Sequence, residues 1–267
     1  MNIALCFCVR NCGIYLDDIF KNIEQVKSLN FNVYTIFVYD NCIDNSENKL
    51  KKYQQKNNNV IIKTITNKSI HRTERIAKAR NACLDILYNE LDNISYHLMI
   101  DCDDRCSSKW NIEVINNYLN NFDNDNWDSI SFNRDGYYDI WALLFEDFKQ
   151  HCFGFGHYNS KVIPIMKFCI EKKLKKSETN SIDVLSAFNG FAIYKTDRFK
   201  GYIYDGLYSN YEELIKEEDI ECTINKLKEF NVYIENIPTI ECCEHIFYHL
   251  SALKEGRKIK ISKFKVV

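Results

Sequence analysis

In the first hundred residues, apolar runs of strand length alternate with segments of helical period, four strands to three helices, and this rhythm constrains the fold most. Ile3 to Val9, Phe31 to Tyr39, Val60 to Ile65 and Tyr96 to Ile100 read as strands. Between them, Tyr15 to Leu29 places Leu16, Ile19, Ile23 and Val26 at helical spacing, Ser46 to Gln55 is a polar surface helix, and Arg72 to Leu91 carries Ile76, Ala79, Cys83 and Leu87 along one face. Strands separated by helices imply a parallel sheet with right-handed crossovers, an α/β fold. The fourth strand runs into Asp101-Cys102-Asp103-Asp104. Three carboxylates so close repel one another unless a cation neutralises them or all face water. At the C-terminal end of a parallel strand they stand where such folds place ligands. The cluster therefore reads either as a divalent-metal site for a nucleotide diphosphate or as a solvated acidic turn.

Beyond Asp104 the rhythm changes. Trp110 to Phe122, Val162 to Lys175 and Ile220 to Phe230 have helical patterns. Trp127 to Phe132, Tyr138 to Leu144, Ile182 to Tyr194 with a break at Gly190, and the short Val232 to Ile234 look like strands, and the alternating tail Ile259 to Phe264 suits an edge strand. There is no internal repeat, Gly/Ser linker or low-complexity segment, so the expectation is one domain over residues 1–267: a nucleotide-binding half, 1–104, and a mixed acceptor-side half, 105–267.

The 267 residues are 46% hydrophobic, enough for a sizeable core, and the formal net charge of -2 offers no global basic field for nucleic acid or an anionic membrane. No apolar run approaches the ~18 residues of a membrane span, and the start Met1-Asn2-Ile3-Ala4-Leu5-Cys6 lacks the features of a signal peptide. A cytoplasmic location is expected. None of the 12 cysteines forms a C-x-x-C pair, which argues against a zinc ribbon or thioredoxin-like site and for free buried thiols.

Several constellations could carry chemistry. Asp40 ends the second strand, where a carboxylate can accept from a base or a ribose, while Asn45-Ser46 makes an N-cap. Arg72, Arg75 and Lys78 share one side of their helix and could meet a diphosphate, or simply form surface pairs such as Glu74–Lys78. Cys243-Glu244-His245 has His249 one turn on, so it could hold a metal or supply a base, or be buried histidines with ordinary partners. Glu217-Glu218-Asp219 opens a late helix, favourable with the helix dipole alone. Tyr137-Tyr138-Asp139-Ile140-Trp141 and Phe188-Asn189-Gly190-Phe191 are aromatic-rich, suited to stacking on a sugar or to a core.

In this order, the pieces resemble nucleotide-sugar glycosyltransferases of the GT-A fold. The resemblance is carried by Arg10-Asn11 after the first strand, Asp40, Ala77-Lys78-Ala79-Arg80-Asn81 and the D-x-D signature Asp101-Cys102-Asp103. That first half is family 2-like. In the second half Tyr137 to Leu143, Ser186 to Lys195 and Cys243-Glu244-His245 look like capsule-type mannosyltransferases. The resemblance implies an enzyme that moves a hexose from a nucleotide diphosphate sugar to a hydroxyl on a glycan or glycoconjugate, with Mn2+ or Mg2+. Asp103 and His245 would hold the ion. Asp101 would touch the ribose or sugar, and Asp40 the base. Arg10, Arg75 and Arg80 would lie near the donor. Glu244 or Asp219 would be the base, and Tyr138, Asp139, Trp141 and Asn189 would face the acceptor. Asn189 replaces an expected glycine and should narrow the acceptor side. A nucleotidyltransferase and a non-catalytic nucleotide-sugar-binding module are the alternatives. The first usually has a Gly-rich loop after its first strand, where this chain has only Gly13.

Overall fold

A computed structural model of the chain describes residues 1–120 and 126–267. The first half follows the expected rhythm: β1 (Asn2–Val9), α1 (Leu16–Lys27), β2 (Asn32–Asp40), α2 (Ser46–Gln54), β3 (Val60–Ile65), α3 (Arg72–Asn89) and β4 (Ile94–Asp101). The second half continues with α4 (Ile112–Leu119), β5 (Ser129–Asn133), α5 (Asn159–Lys176), β6 (Ser181–Val184), β7 (Phe191–Lys195), α6 (Tyr208–Tyr211), α7 (Glu217–Lys228), α8 (Glu244–Lys254) and β8 (Ile259–Lys265). The predicted helix end at Phe122 lies outside the described residues.

The eight strands form one mixed sheet in the order β3-β2-β1-β4-β7-β5-β8-β6. β1 to β4 are mutually parallel, and β7 turns antiparallel to both β4 and β5. Both faces are covered. Ala4, Cys6, Ile36, Val38 and Met99 pack toward α3 and α8, while the alternate positions Ile3, Leu5, Phe7, Phe37, Leu98 and Ile100 pack toward α1 and α4. Burial on two faces is why these strands read as continuous apolar runs, and the two-residue period divides them between the layers. All 12 cysteines are free, seven of them buried.

Four expectations for the second half are corrected. Tyr138 to Leu144 is irregular: the N–H groups of Tyr138 and Asp139 donate to the Asn189 side chain, and only Leu144 bridges Ser186. Ile182 to Tyr194 does break at Gly190, where Asn189 and Gly190 adopt φ of 57° and 84°, but the strands on either side are short and not neighbours, β6 lying at the sheet edge and β7 beside β4. Val232 to Ile234 is irregular, with no strand partner. The tail strand β8 is interior, flanked by β5 and β6. Left-handed backbone falls on Asn11, Asn41, Asn93, Asn189 and Asn231 as well as on glycines, since asparagine tolerates that region better than other side chains.

Candidate functional site

The C-terminal ends of β1, β2 and β4 open into a cleft of about 750 Å3, within the usual range of ligand sites. One wall comes from strand ends and the loops behind them, with Arg10, Asp40, Asp101 and Asp103 lining it. Asp40 is buried and its Oδ1 accepts from Asn67 N at 3.4 Å, which ties the loop after β3 to the end of β2. Asp103 Oδ1 accepts from Arg105 N at 3.0 Å, and burial raises its carboxyl above the ordinary range. Arg10 is exposed at the mouth.

Arg80 joins this wall to the opposite one. It lies on the buried side of α3, where its Nε donates to Glu244 Oε1 at 2.9 Å and its Nη2 to Asp101 Oδ1 at 3.1 Å. Its guanidinium lies 4.6 Å from the Phe188 ring centroid. Burial disfavours the charge, but Glu244 and Asp101 hold Arg80 protonated. Asp101 is pushed up to about 7 by burial, against the pull of Arg80 and with the help of Asp103 and Asp139. Glu244, at the first turn of α8, is thus the fixed partner of a cation.

The far wall carries Tyr138, Asp139 and Trp141. Asp139 is pushed up to about 6 by burial and by the charge of Glu244, and its Oδ1 accepts from Ala142 N at 3.2 Å. Asn189 does not line the cleft, in contrast to the expectation. It is buried behind it, where its Oδ1 accepts from Tyr138 N and Asp139 N while its Nδ2 donates to Phe132 O at 2.8 Å. Its backbone φ explains why a glycine-like position holds an asparagine: the side chain then clamps the segment that bears Asp139. Tyr138 stacks under the Arg105 guanidinium at 4.6 Å, and Trp141 lies 5.9 Å from that of Arg72.

His245 lines the cleft with its ring stacked on Phe188 at 3.8 Å, and neither ring nitrogen has a hydrogen-bond partner. Burial and the nearby Arg80 hold its pKa well below the ordinary value, so the ring is neutral and able to donate a lone pair. His249, by contrast, is a core histidine bonded to Ser186 and Tyr194. Among the described residues no three His, Cys, Asp or Glu side chains converge as a ready ligand set. The donor types nevertheless suit a divalent ion: carboxylates at Asp101 and Asp103 and an imidazole without a hydrogen-bond partner, its Nε2 3.7 Å from Glu244 Oε1.

Two predicted residues sit elsewhere. Asp219 does not line the cleft. It pairs with Lys149 at 2.8 Å and closes a capping box on α7. Arg75 lines the cleft, but its Nη1 donates to Ser69 O and Ile70 O, shaping the loop after β3. Lys78 pairs with Glu74, the surface alternative. The sequence reading missed Arg134, which donates from Nη1 to Arg105 O at 2.5 Å and from Nη2 to Cys106 Sγ at 3.2 Å, bracing the D-x-D loop from outside. It also missed the Arg80–Glu244 pair, which spans 164 positions. No local signal could have revealed either.

No family model matches the chain, and no curated protein matches it. Solved structures similar to it include TarS 1-349 of S. aureus, at 14% identity and TM-score 0.47, covering 100% of this chain and 59% of that one. The mannosyltransferase PcManGT of Pyrobaculum calidifontis is similar at 11% identity and TM-score 0.44, over 75% of this chain and 47% of that one. A nucleoside-diphosphate-sugar pyrophosphorylase of Vibrio cholerae RC9 is similar at 10% identity and TM-score 0.46, over 98% and 91%. The chain thus spans little more than half the length of TarS 1-349.

Proposed function

We propose that the chain is a glycosyltransferase that binds a nucleotide diphosphate sugar in the central cleft and transfers its hexose to a hydroxyl of a glycan or glycoconjugate. The observation that carries this reading is the placement of Asp101 and Asp103 at the C-terminal end of β4, facing a cleft whose far wall presents Tyr138, Asp139 and Trp141. Asp40 would receive the base, and Arg10 the diphosphate. Asp103, with His245 as a neutral nitrogen donor, would hold Mn2+ or Mg2+. A bound ion there would neutralise charge on the departing nucleotide diphosphate.

The acceptor proton goes to Asp139 in this reading. Glu244 is committed to Arg80, and Asp219 is committed to Lys149 away from the cleft. Asp139 lines the cleft, has no cationic partner among the described residues, and is raised to about 6, a suitable range for a base near neutral pH. Trp141 and Tyr138 would stack on the acceptor sugar. The nucleotidyltransferase alternative gains nothing from the loop after β1, where Gly13 N donates to Asp44 and no phosphate-cradling glycine run exists.

A thermal-shift panel of nucleotide diphosphate sugars with manganese tests this reading. A donor at ~100 times its dissociation constant adds ~2.7 kcal/mol, a shift of several degrees. The Asp103→Asn variant should lose the manganese-dependent part of that shift and all transfer. An unchanged shift and unchanged activity in that variant would sink the proposal. Donor binding without slow donor hydrolysis would favour a non-catalytic module.

A further inference from the structure

Single exposed apolar side chains are ordinary on any protein surface. Here, however, the three most exposed large ones among the described residues share a line. Ile43, Ile70 and Ile14 are 92%, 85% and 76% exposed. Each sits on the loop that leaves the C-terminal end of one of three neighbouring parallel strands, β2, β3 and β1. The sheet order therefore sets Ile70, Ile43 and Ile14 in a row along the edge where the cleft opens.

The loops that hold out Ile14 and Ile43 are knitted together, and the loop that carries Ile70 is tied to the end of β2 through Asn67 and Asp40. Ile43 N donates to Asn11 Oδ1 at 2.9 Å, Gly13 N to Asp44 Oδ2 at 2.8 Å, and Cys12 N to Ser46 Oγ at 2.9 Å. Asp40, Asp103 and Asp139, which have no ion-pair partner among the described residues, lie buried or half-buried inside the cleft, and on the exposed rim itself the charge is lopsided once internal pairs are removed. Asp17, Asp18 and Glu47 are each paired with a lysine, Asp104 faces Arg105, and Asp44 accepts from main-chain N–H groups. Exposed Arg10, Lys68 and Arg72 have no carboxylate partner among the described residues. The whole-chain charge of -2 conceals this local positive rim.

We infer that this rim docks on an anionic lipid surface, with the isoleucines among the headgroups and the cleft mouth turned toward the bilayer. Separate aliphatic tips backed by cations suit a lipid interface, where each side chain finds hydrocarbon independently. A protein partner would instead be expected to meet a contiguous patch with aromatic anchors. The inference is independent of what the cleft binds.

Co-sedimentation with vesicles of phosphatidylcholine containing about one-third phosphatidylserine is the test. The chain should pellet with these vesicles and less so with pure phosphatidylcholine. Each of Ile14→Ser, Ile43→Ser and Ile70→Ser should weaken partitioning about tenfold, and Lys68→Glu should weaken it less. In Ile43→Trp, the fluorescence attributable to the new tryptophan should shift to the blue when vesicles are added. The sites are solvent-exposed, so the melting temperature and any donor-induced shift of the triple serine variant should equal those of the wild type. A wild type that stays in the supernatant overturns the inference, as does a triple variant that pellets undiminished. Self-association abolished by Ile43→Ser, without vesicle binding, would assign the rim to a second copy and overturn it too. In each of these cases an intact donor shift leaves the proposed function standing.

Discussion

The two walls of the cleft are held by different means. Asp40, Asp101 and Asp103 stand at the ends of parallel strands or just beyond them, where the ladder fixes the main chain: Cys8 registers with Asp101, and Asp40 with Ile65. The opposite wall has no ladder. Tyr138 and Asp139 hang on one asparagine amide, and Glu244 on one guanidinium. A wall made by a sheet averages over many backbone bonds, whereas a wall made by clamps depends on single side chains. Substitutions should therefore be felt very unevenly across the cleft.

The largest effect is expected at Arg80, which bonds to both walls. Arg80→Met strands Glu244 as a buried, unpaired carboxylate and leaves the half-buried Asp101 without its cation, and should cost about 3–5 kcal/mol in urea denaturation. A loss below about 1 kcal/mol would show that the walls do not depend on this bridge. Next comes Asn189→Gly, which keeps the left-handed φ but removes three hydrogen bonds. The expected loss is about 1–3 kcal/mol, with the manganese-dependent donor shift retained, because the ladder wall is untouched.

A pH series separates the walls further. Asp101 and Asp139 have folded-state values of about 7 and about 6 against 3.8 for an ordinary Asp. The folded chain binds the extra protons, so this contribution to stability is full below about pH 4 and is lost as pH rises through 6 and 7. Carboxylates lowered by their partners, such as Glu74 and Glu241, act in the opposite direction, but only below about pH 4.5. The buried histidines His97, His151, His245 and His249, whose pKa values burial lowers, gain stability as pH rises over the same range, so the test is a difference: the melting temperature of Asp139→Asn relative to the wild type should rise between pH 5 and pH 7.5. An identical slope in the two proteins would remove Asp139 from the account. The smallest effect belongs to Asp219→Asn, outside the cleft, at about 1 kcal/mol or less from a partly exposed pair and a helix cap, with donor binding unchanged.

The same division explains what could be read from the chain itself. β1, β2 and β3 pair with neighbours one helix away in sequence, β4 returns to the free side of β1, and the apolar runs and intervening periodicity of all four are local signals, so element order and the placement of Asp40 and Asp101 were legible. In the second half, β7 inserts between β4 and β5, and β8 returns to sit inside the sheet. Nothing local distinguishes an apolar run that enters a sheet from one like Tyr138 to Leu144, whose amides are taken by a side chain 50 residues away. The candidate site followed suit. The carboxylate cluster was visible as a motif, but that Glu244 is spoken for by Arg80, and Asp139 is not, depends on a contact across 164 positions.

The asparagines at positive φ bear on how a ligand would arrive. Asn11 lies in the cleft-rim loops and Asn189 behind the far wall, and each supplies side-chain bonds that glycine could not. Asparagine also leaves the unfolded chain fewer conformations than glycine would. Loops bent and braced in this way need little further ordering when something binds, so the entropic penalty of association is small. Donor capture should behave as a rigid-body encounter, its on-rate set by diffusion and orientation, with affinity differences among nucleotide sugars appearing mainly in how long each one stays.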